Sequence, residues 1–268
     1  MEVSDVEHMR DEAGTEPEVP RPAAAGNDIQ VIARAAEVLR LLTQGDQVDV
    51  VTAAEVLGIS RSSAHRYLTS LERHGFLARR DRNSYEVGTL MTQIGAVAMA
   101  RSAVIRRARP IMEQLRDEVG QTITLSLWNG NAAVVAHVVE DTSRTAHVSV
   151  RVGSALNRHA AQTVIFRAFV ERTAFSRSPL VDRTEDEVVQ RARQDGVATW
   201  ASDREGIRAV AVPIFDPAGS VVATLAAVGI AQLMPSERDT PLVKALTRAS
   251  ADVSEAMSVP PETADEGR

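Results

Sequence analysis

Ser60, Arg61, Ser62 and Ser63, followed by His65, Arg66 and Thr69, form a run of small hydroxyls and cations, and Arg79, Arg80 and Arg82 come shortly after. Hydroxyls can donate to or accept from phosphate oxygens and either class of base, and their small size lets a backbone approach closely. A guanidinium pairs with phosphate or, bidentately, with guanine. The chemistry on offer is recognition of a duplex polyanion. Other chemistries find less support. There is no cysteine, so thiolate nucleophiles, thiolate metal sites and disulfides are excluded. The six histidines lack the ligand spacing of a helical His-x-x-x-His pair, and no metal ligand set is expected. No phosphate-cradling glycine loop and no Gly-x-Ser-x-Gly elbow is present, and no catalytic residue or cofactor is expected.

A helix must carry these side chains, and the local pattern supplies one. Gly58-Ile59 makes the turn, Ser60 caps, and Ala64, Tyr67, Leu68 and Leu71 form an apolar stripe ending at His74-Gly75. Arg61, Ser62, His65, Arg66 and Thr69 fall on the face away from that stripe. Upstream, residues 29–45 place Ile32, Ala35, Val38, Leu39 and Leu42 on one side of a helix. Thr52 with Glu55 reads as a capping box opening the short helix that closes on Gly58. Downstream, residues 76–88 read as two short strands around a polar turn at Asp81–Ser84. Helix, short helix, turn, helix and hairpin together predict a winged helix-turn-helix over 29–88.

The charge distribution agrees once it is located. Net charge is −6. Residues 1–28 hold eight acids against Arg10 and Arg21, which accounts for all of it, so the remainder is neutral overall. Residues 60–82 carry six arginines against Glu72 and Asp81, a local basic patch. Arginine is the default cation of this chain, since Lys244 is its single lysine. Residues 1–28, rich in Pro, Ala and Gly and without apolar period, read as a disordered acidic tail, and 259–268 as a second tail. The longest apolar run, 221–231, is too short to cross a bilayer, and the expectation is a cytoplasmic protein with no membrane partner.

Residues 89–103 read as a connecting helix whose stripe, Leu90, Ile94, Val97 and Ala98, lacks an evident partner and suggests a dimer contact. Residues 104–258 read as an α+β domain. Pro110 suits the first turn of a helix ending at Gly120. A hairpin turns at Asn129-Gly130, with Ile123, Leu125 and Leu127 alternating with Thr122, Thr124 and Ser126. Residues 146–153 read as a strand, 159–173 as a helix, 184–196 as a capped helix, and 235–257 as the closing helix. Two long strands flank a turn at Asp216–Gly219.

At this point the chain resembles the IclR-type bacterial transcriptional regulators, from about Ile29 to Met257. The resemblance rests on "IARAAEVLRLL", "AAEVLGISRSSAHRYLTSLERHGFL" and "YEVGTLMTQIG" in the first half, and on "RVGSALNRHA" and "GIRAVAVPIFDPAGSVVATLAAVG" in the second. It implies a multidomain α+β protein: an N-terminal winged helix-turn-helix, a linker helix used in dimerisation, and a C-terminal GAF-like antiparallel sheet with helices. It implies a regulator, such as a repressor, acting as a homodimer or homotetramer on a palindromic double-stranded operator and sensing a small-molecule effector. Expected DNA contacts are Arg34, Ser60, Arg61, Ser62, Ser63, His65, Arg66, Thr69, Arg79, Arg80 and Arg82, with Arg66 reading a base edge and the wing arginines holding phosphates. Expected effector contacts are His159, Gln162, Thr163, Asp203, Ala209, Ala226 and Val228.

The pattern departs from the family at the effector site. The helix after His159-Ala160 is glycine-rich in the family; here it reads Gln162, Thr163, Val164 and Ile165. Ala226, Ala227 and Val228 stand where small polar residues are usual. A larger or more apolar effector than a two- or three-carbon acid is therefore expected. Two alternatives stay open: a metabolite-binding module or enzyme using the helical bundle for oligomerisation, and a DNA-binding regulator with no ligand.

Overall fold

The computed structural model describes residues 29–143, 146–170, 183–235 and 240–258. The two expected tails lie outside them. The winged half comprises α1 (Gln30–Gln44), β1 (Val48–Asp49), α2 (Val50–Leu57), α3 (Arg61–Arg73), β2 (Leu77–Arg79) and β3 (Ser84–Val87). Its three-stranded antiparallel sheet has the order β1-β3-β2. Val38, Ala53, Ala54, Ala64, Leu68, Leu71, Leu77 and Tyr85 close one aliphatic core around a single buried tyrosine.

Three local expectations change. Asp49, not Thr52, caps α2: its carboxylate accepts from the Val51 and Thr52 amides at 2.8 and 2.9 Å and from the Thr52 hydroxyl at 2.9 Å. The helix thereby starts directly after β1, an unforeseen strand of two residues paired with Ser84 and Tyr85. Ile32 is 62% exposed, because the stripe of α1 meets the core from Ala35 onward.

The helix α4 (Thr89–Arg101) buries none of its residues; Ile94, Val97 and Met99 are 53%, 49% and 39% exposed. It breaks at Ser102, and α5 (Ala103–Val119) follows. Pro110 is interior to α5, a correction to its expected place in the first turn. Its missing amide removes one helical bond there, while Val104, Ile105, Ala108, Met112 and Leu115 anchor both sides of it in the core.

The second half is built on a five-stranded antiparallel sheet, order β5-β4-β8-β7-β6, from β4 (Thr122–Trp128), β5 (Ala133–Val139), β6 (Ala198–Ser202), β7 (Ile207–Phe215) and β8 (Val221–Ile230). One face, with Ile123, Leu125, Val210, Val212, Ile214, Ala223 and Leu225, packs on α5 and on α8 (Pro241–Ser258). The other, with Ala209, Ala211, Ala226 and Val228, packs on α6 (Ala161–Phe169) and on Ala192 of α7 (Arg183–Asp195). The helix α8 starts later than expected, at Pro241, where Thr240 accepts from the Val243 amide and proline suits the first position.

Residues 146–153 do not form the expected strand. The segment runs beside β5, held by the Val135 amide on Ser154 O at 3.0 Å and the Gly153 amide on Val135 O at 2.7 Å, with one bridge, Val134 to Ala155. A ladder would need backbone partners along its whole length, and only its end has them. From this segment Arg151 Nη1 reaches Gln44 O at 2.7 Å, at the C-terminal end of α1. That hydrogen bond ties the second half of the molecule to the first.

Candidate functional site

α3 is placed by its two ends and its buried stripe. Gly58 takes the left-handed conformation, φ 63°, that reverses the chain after α2. Ser60 Oγ accepts from the Ser63 amide at 3.3 Å and lies 3.0 Å from the hydroxyls of both Ser62 and Ser63. Ser60 therefore acts as the cap, with the other two serines gathered around it. Among the amides of the first turn, those of Arg61 and Ser62 precede the first intrahelical bond and suit an anion at that end. Ala64, Leu68 and Leu71 are buried beneath, while Arg61, Ser62, Ser63, His65 and Arg66 are exposed together. Arg61 and Arg66 have no acidic partner among the described residues.

The wing stands beside this face. Asp81 Oδ1 accepts from the amides of Asn83 and Ser84 at 2.8 and 2.9 Å, and its Oδ2 from the Ser84 hydroxyl at 2.5 Å. These bonds, the Ser84 hydroxyl foremost, hold its carboxyl below the usual carboxylate range. The turn so fixed leaves Arg80 and Arg82 exposed on either side. Arg79 differs from them in having an acidic partner. Its Nε and Nη2 donate to Glu72 at 3.1 and 2.8 Å, and its guanidinium lies 4.8 Å from the centre of the Tyr85 ring. Arg79 joins wing to helix and raises its own already high pKa by that pairing. Thr69 is half-buried, with its hydroxyl 3.4 Å from that of Tyr85, so it faces the wing more than the solvent.

Arg34 is half-buried on α1 beside Tyr67, whose hydroxyl donates to the Val31 carbonyl. Burial pushes the Tyr67 hydroxyl above its ordinary pKa, against the opposing charge of Arg34. Glu72 and Asp49 are the supporting residues that sequence reasoning passed over. The signal for Glu72 was its being the one acid within α3, seven residues before Arg79.

The expected effector residues divide. Gln162 and Thr163 are buried in the first turn of α6, directly over the sheet. Gln162 Nε2 donates to Thr124 Oγ1 at 2.9 Å and reaches Ser126 Oγ at 3.3 Å; Thr163 Oγ1 accepts from the Ala133 amide at 3.3 Å. Ala226 lies opposite Thr124 across the β4–β8 ladder, and Ala209 opposite Val228 across the β7–β8 ladder, so all three belong to the face under α6. His159 and Asp203 do not join them. His159 is exposed in the approach to α6, with its amide on Asn157 Oδ1 at 2.9 Å; Asp203 is exposed in the β6–β7 turn.

The residues missed here are Thr124, Ser126 and Thr224. Thr124 and Ser126 alternate with Ile123 and Leu125 on β4, Thr224 lies on β8, and all three are fully buried. Thr224 lies opposite Ser126, and its hydroxyl has no hydrogen-bond partner among the described residues. Trp128 and Phe166, 5.3 Å apart, border the same layer. Asp141 is the one buried charged residue among those described. It lines a small cleft with Gln121, Thr122, His147, Val228 and Gly229 at the other end of β4.

Residues 96–255 match the family model described as the bacterial transcriptional regulator IclR C-terminal domain, and residues 31–81 the IclR helix-turn-helix domain. The HTH-type transcriptional regulator BhcR of Paracoccus denitrificans is 29% identical over 263 residues, covering 89% of this chain and 93% of its own. A crystal structure of an IclR-type regulator from Alicyclobacillus acidocaldarius superposes with a TM-score of 0.67 at 25% identity, over 86% of this chain and 99% of that one. An IclR homologue from Microbacterium hydrocarbonoxydans, solved in complex with 4-hydroxybenzoate, has the same fold, with a TM-score of 0.66 at 19% identity over 85% of this chain and 98% of that one.

Proposed function

This chain belongs to the IclR family of bacterial transcriptional regulators, and from that premise we propose how it takes its operator and its effector. It is a DNA-binding regulator and not an enzyme. The N-terminal tip of α3 enters the major groove, with Arg66 at a base edge and Arg61, Ser62, Ser63 and His65 around it. Arg80 and Arg82 on the wing and Arg34 on α1 hold phosphates; Ser60, Thr69 and Arg79 keep helix and wing in place for them. The observation that carries this is the grouping of unpaired cations and small hydroxyls above the buried Ala64, Leu68 and Leu71.

Two such helices act together, because the exposed Ile94, Val97 and Met99 of α4 make the contact of a cytoplasmic homodimer, or of the dimers within a tetramer. Two-fold symmetry then requires a palindromic operator with half-sites one helical turn, or a multiple of it, apart. The operator regulates transcription of nearby genes. No described helix is long and apolar enough to cross a membrane.

The effector binds between α6 and the sheet, against Gln162, Thr163, Thr124, Ser126, Ala226 and Val228, as a larger or more apolar molecule than a two- or three-carbon acid. Support comes from the alanines and the uncharged hydroxyls and amide of that layer, and from the Microbacterium relative's complex with an aromatic hydroxy acid. Footprinting the protein on the DNA upstream of its own gene tests the reading. A protected palindrome supports it, and absence of protection on any upstream or genomic fragment contradicts it. Calorimetry showing tight binding of glyoxylate or pyruvate would contradict the effector class.

A further inference from the structure

The start of α1 lies against the recognition helix. α1 starts at Gln30, and within its first turn the Val31 carbonyl accepts from the Tyr67 hydroxyl of α3. Residues 1–28 carry eight acids against two arginines, the whole of the net charge of −6. The exposed face of α3 and the wing carries the opposite sign. Arg79 is committed to Glu72, and Arg80 acts on Asp81, but Arg61, Arg66, Arg73 and Arg82 have no acidic partner among the described residues.

We propose that the acidic segment 1–28 docks on the basic face of α3 and the wing as an intramolecular substitute for DNA phosphates, and is displaced when DNA binds. The inference rests on the reading that this face takes DNA. Length permits it. Twenty-eight residues span up to about 90–100 Å extended, or roughly 30 Å root-mean-square as a flexible coil, whereas α3 is about 20 Å long. Tethering at Ile29 gives the segment a local concentration on the order of millimolar. Its carboxylates then lie within about one Debye length of the arginines at ordinary ionic strength, ~10 Å at 0.1 M.

Competition of this kind weakens operator and random duplex by one common factor. It also flattens the salt dependence, because each tail carboxylate released takes up a cation as the phosphates lose theirs. The device holds the regulator off DNA at low salt and fades as salt screens the pairing.

The test uses full-length protein in which Glu2→Gln, Asp5→Asn, Glu7→Gln, Asp11→Asn, Glu12→Gln, Glu16→Gln, Glu18→Gln and Asp28→Asn are combined. At 50 mM salt the neutralised protein should bind random duplex about tenfold more tightly than the parent, with the same factor for the operator, a steeper salt slope, and convergence near 0.5 M. Plain repulsion between tail and DNA would also weaken binding, so docking needs its own readout. The chain has no cysteine, and Ser4→Cys therefore accepts a single nitroxide label. In DNA-free protein at low salt the label should broaden amide resonances of α3 and the wing, and the broadening should vanish at 0.5 M salt and in the neutralised variant. Unbroadened α3 resonances overturn the proposal even if DNA affinity changes. Broadening in a protein that binds no duplex supports docking while contradicting the DNA reading itself.

Discussion

Asp49 holds the first turn of α2 through two amides and a hydroxyl, and the Thr52 amide contributes most to keeping its carboxyl below the usual carboxylate range. A depressed folded pKa means stability that is present above the unfolded value, about 3.9, and lost as pH falls through the folded one. Asp49→Ala should cost about 1 kcal/mol at pH 7 in urea melts, and the deficit should shrink as pH drops below about 4. Asp49→Asn, still a good cap, should lose much less. An undiminished deficit at pH 3 would show that the charge of Asp49 is irrelevant. Asp49 escaped sequence reading because Thr52 with Glu55 offered a complete capping motif of its own. The choice was decided by β1, whose pairing with Ser84 and Tyr85 is a long-range fact. The cap at Ser60 and the exposed place of Arg66 were legible because both follow from position within one helix. Arg79 was not, since its partner Glu72 meets it only once the wing folds back on α3.

Among the elements, α3 announced itself through three local signals: Gly58, Ser60 and the stripe from Ala64 to Leu71. Segment 146–153 misled because alternation of apolar and polar residues says nothing about whether a neighbouring edge is available along its length. Thr124 and Ser126 make the opposite case, since a polar strand face is ordinarily solvated and here Gln162 of α6 covers it. The junction between wing and α4 depends on Gly88. A side chain there would lie 2.2 Å from the Gly75 carbonyl and 2.6 Å from the Leu77 amide nitrogen, backbone atoms that cannot swing aside. Gly88→Ala should therefore destabilise the winged half by about 1–3 kcal/mol, read as an earlier thermal transition. An unchanged melting temperature would mean the junction can open at no cost. The exposed face of α4 makes the complementary prediction. Ile94→Glu should shift the protein toward monomer in light scattering and weaken operator binding, while the circular dichroism spectrum stays the same. An unaltered mass would contradict a dimer contact through this face.

At the scale of the molecule, two separate cores serve two tasks. The winged half closes around Val38, Leu68 and Tyr85, and the sheet half around Ile123, Leu125 and Leu246. α4 lies between them, and the Arg151–Gln44 hydrogen bond spans them directly. Arg151 belongs to the segment that leads into α6, so that segment is hydrogen-bonded to the end of α1. The acidic charge of residues 1–28 masked a basic surface in the overall composition, which alone would have argued against a nucleic-acid partner. The central claim is that α3 reads sequence through Arg66 at its tip. Fluorescence anisotropy of the wild type and Arg66→Ala, on operator and on random duplex at one fixed salt concentration, tests it most directly. The account predicts a loss of about 1–3 kcal/mol on the operator, roughly 5- to 150-fold, with little change on random DNA. An equal loss on both would make Arg66 a phosphate contact and contradict the claim.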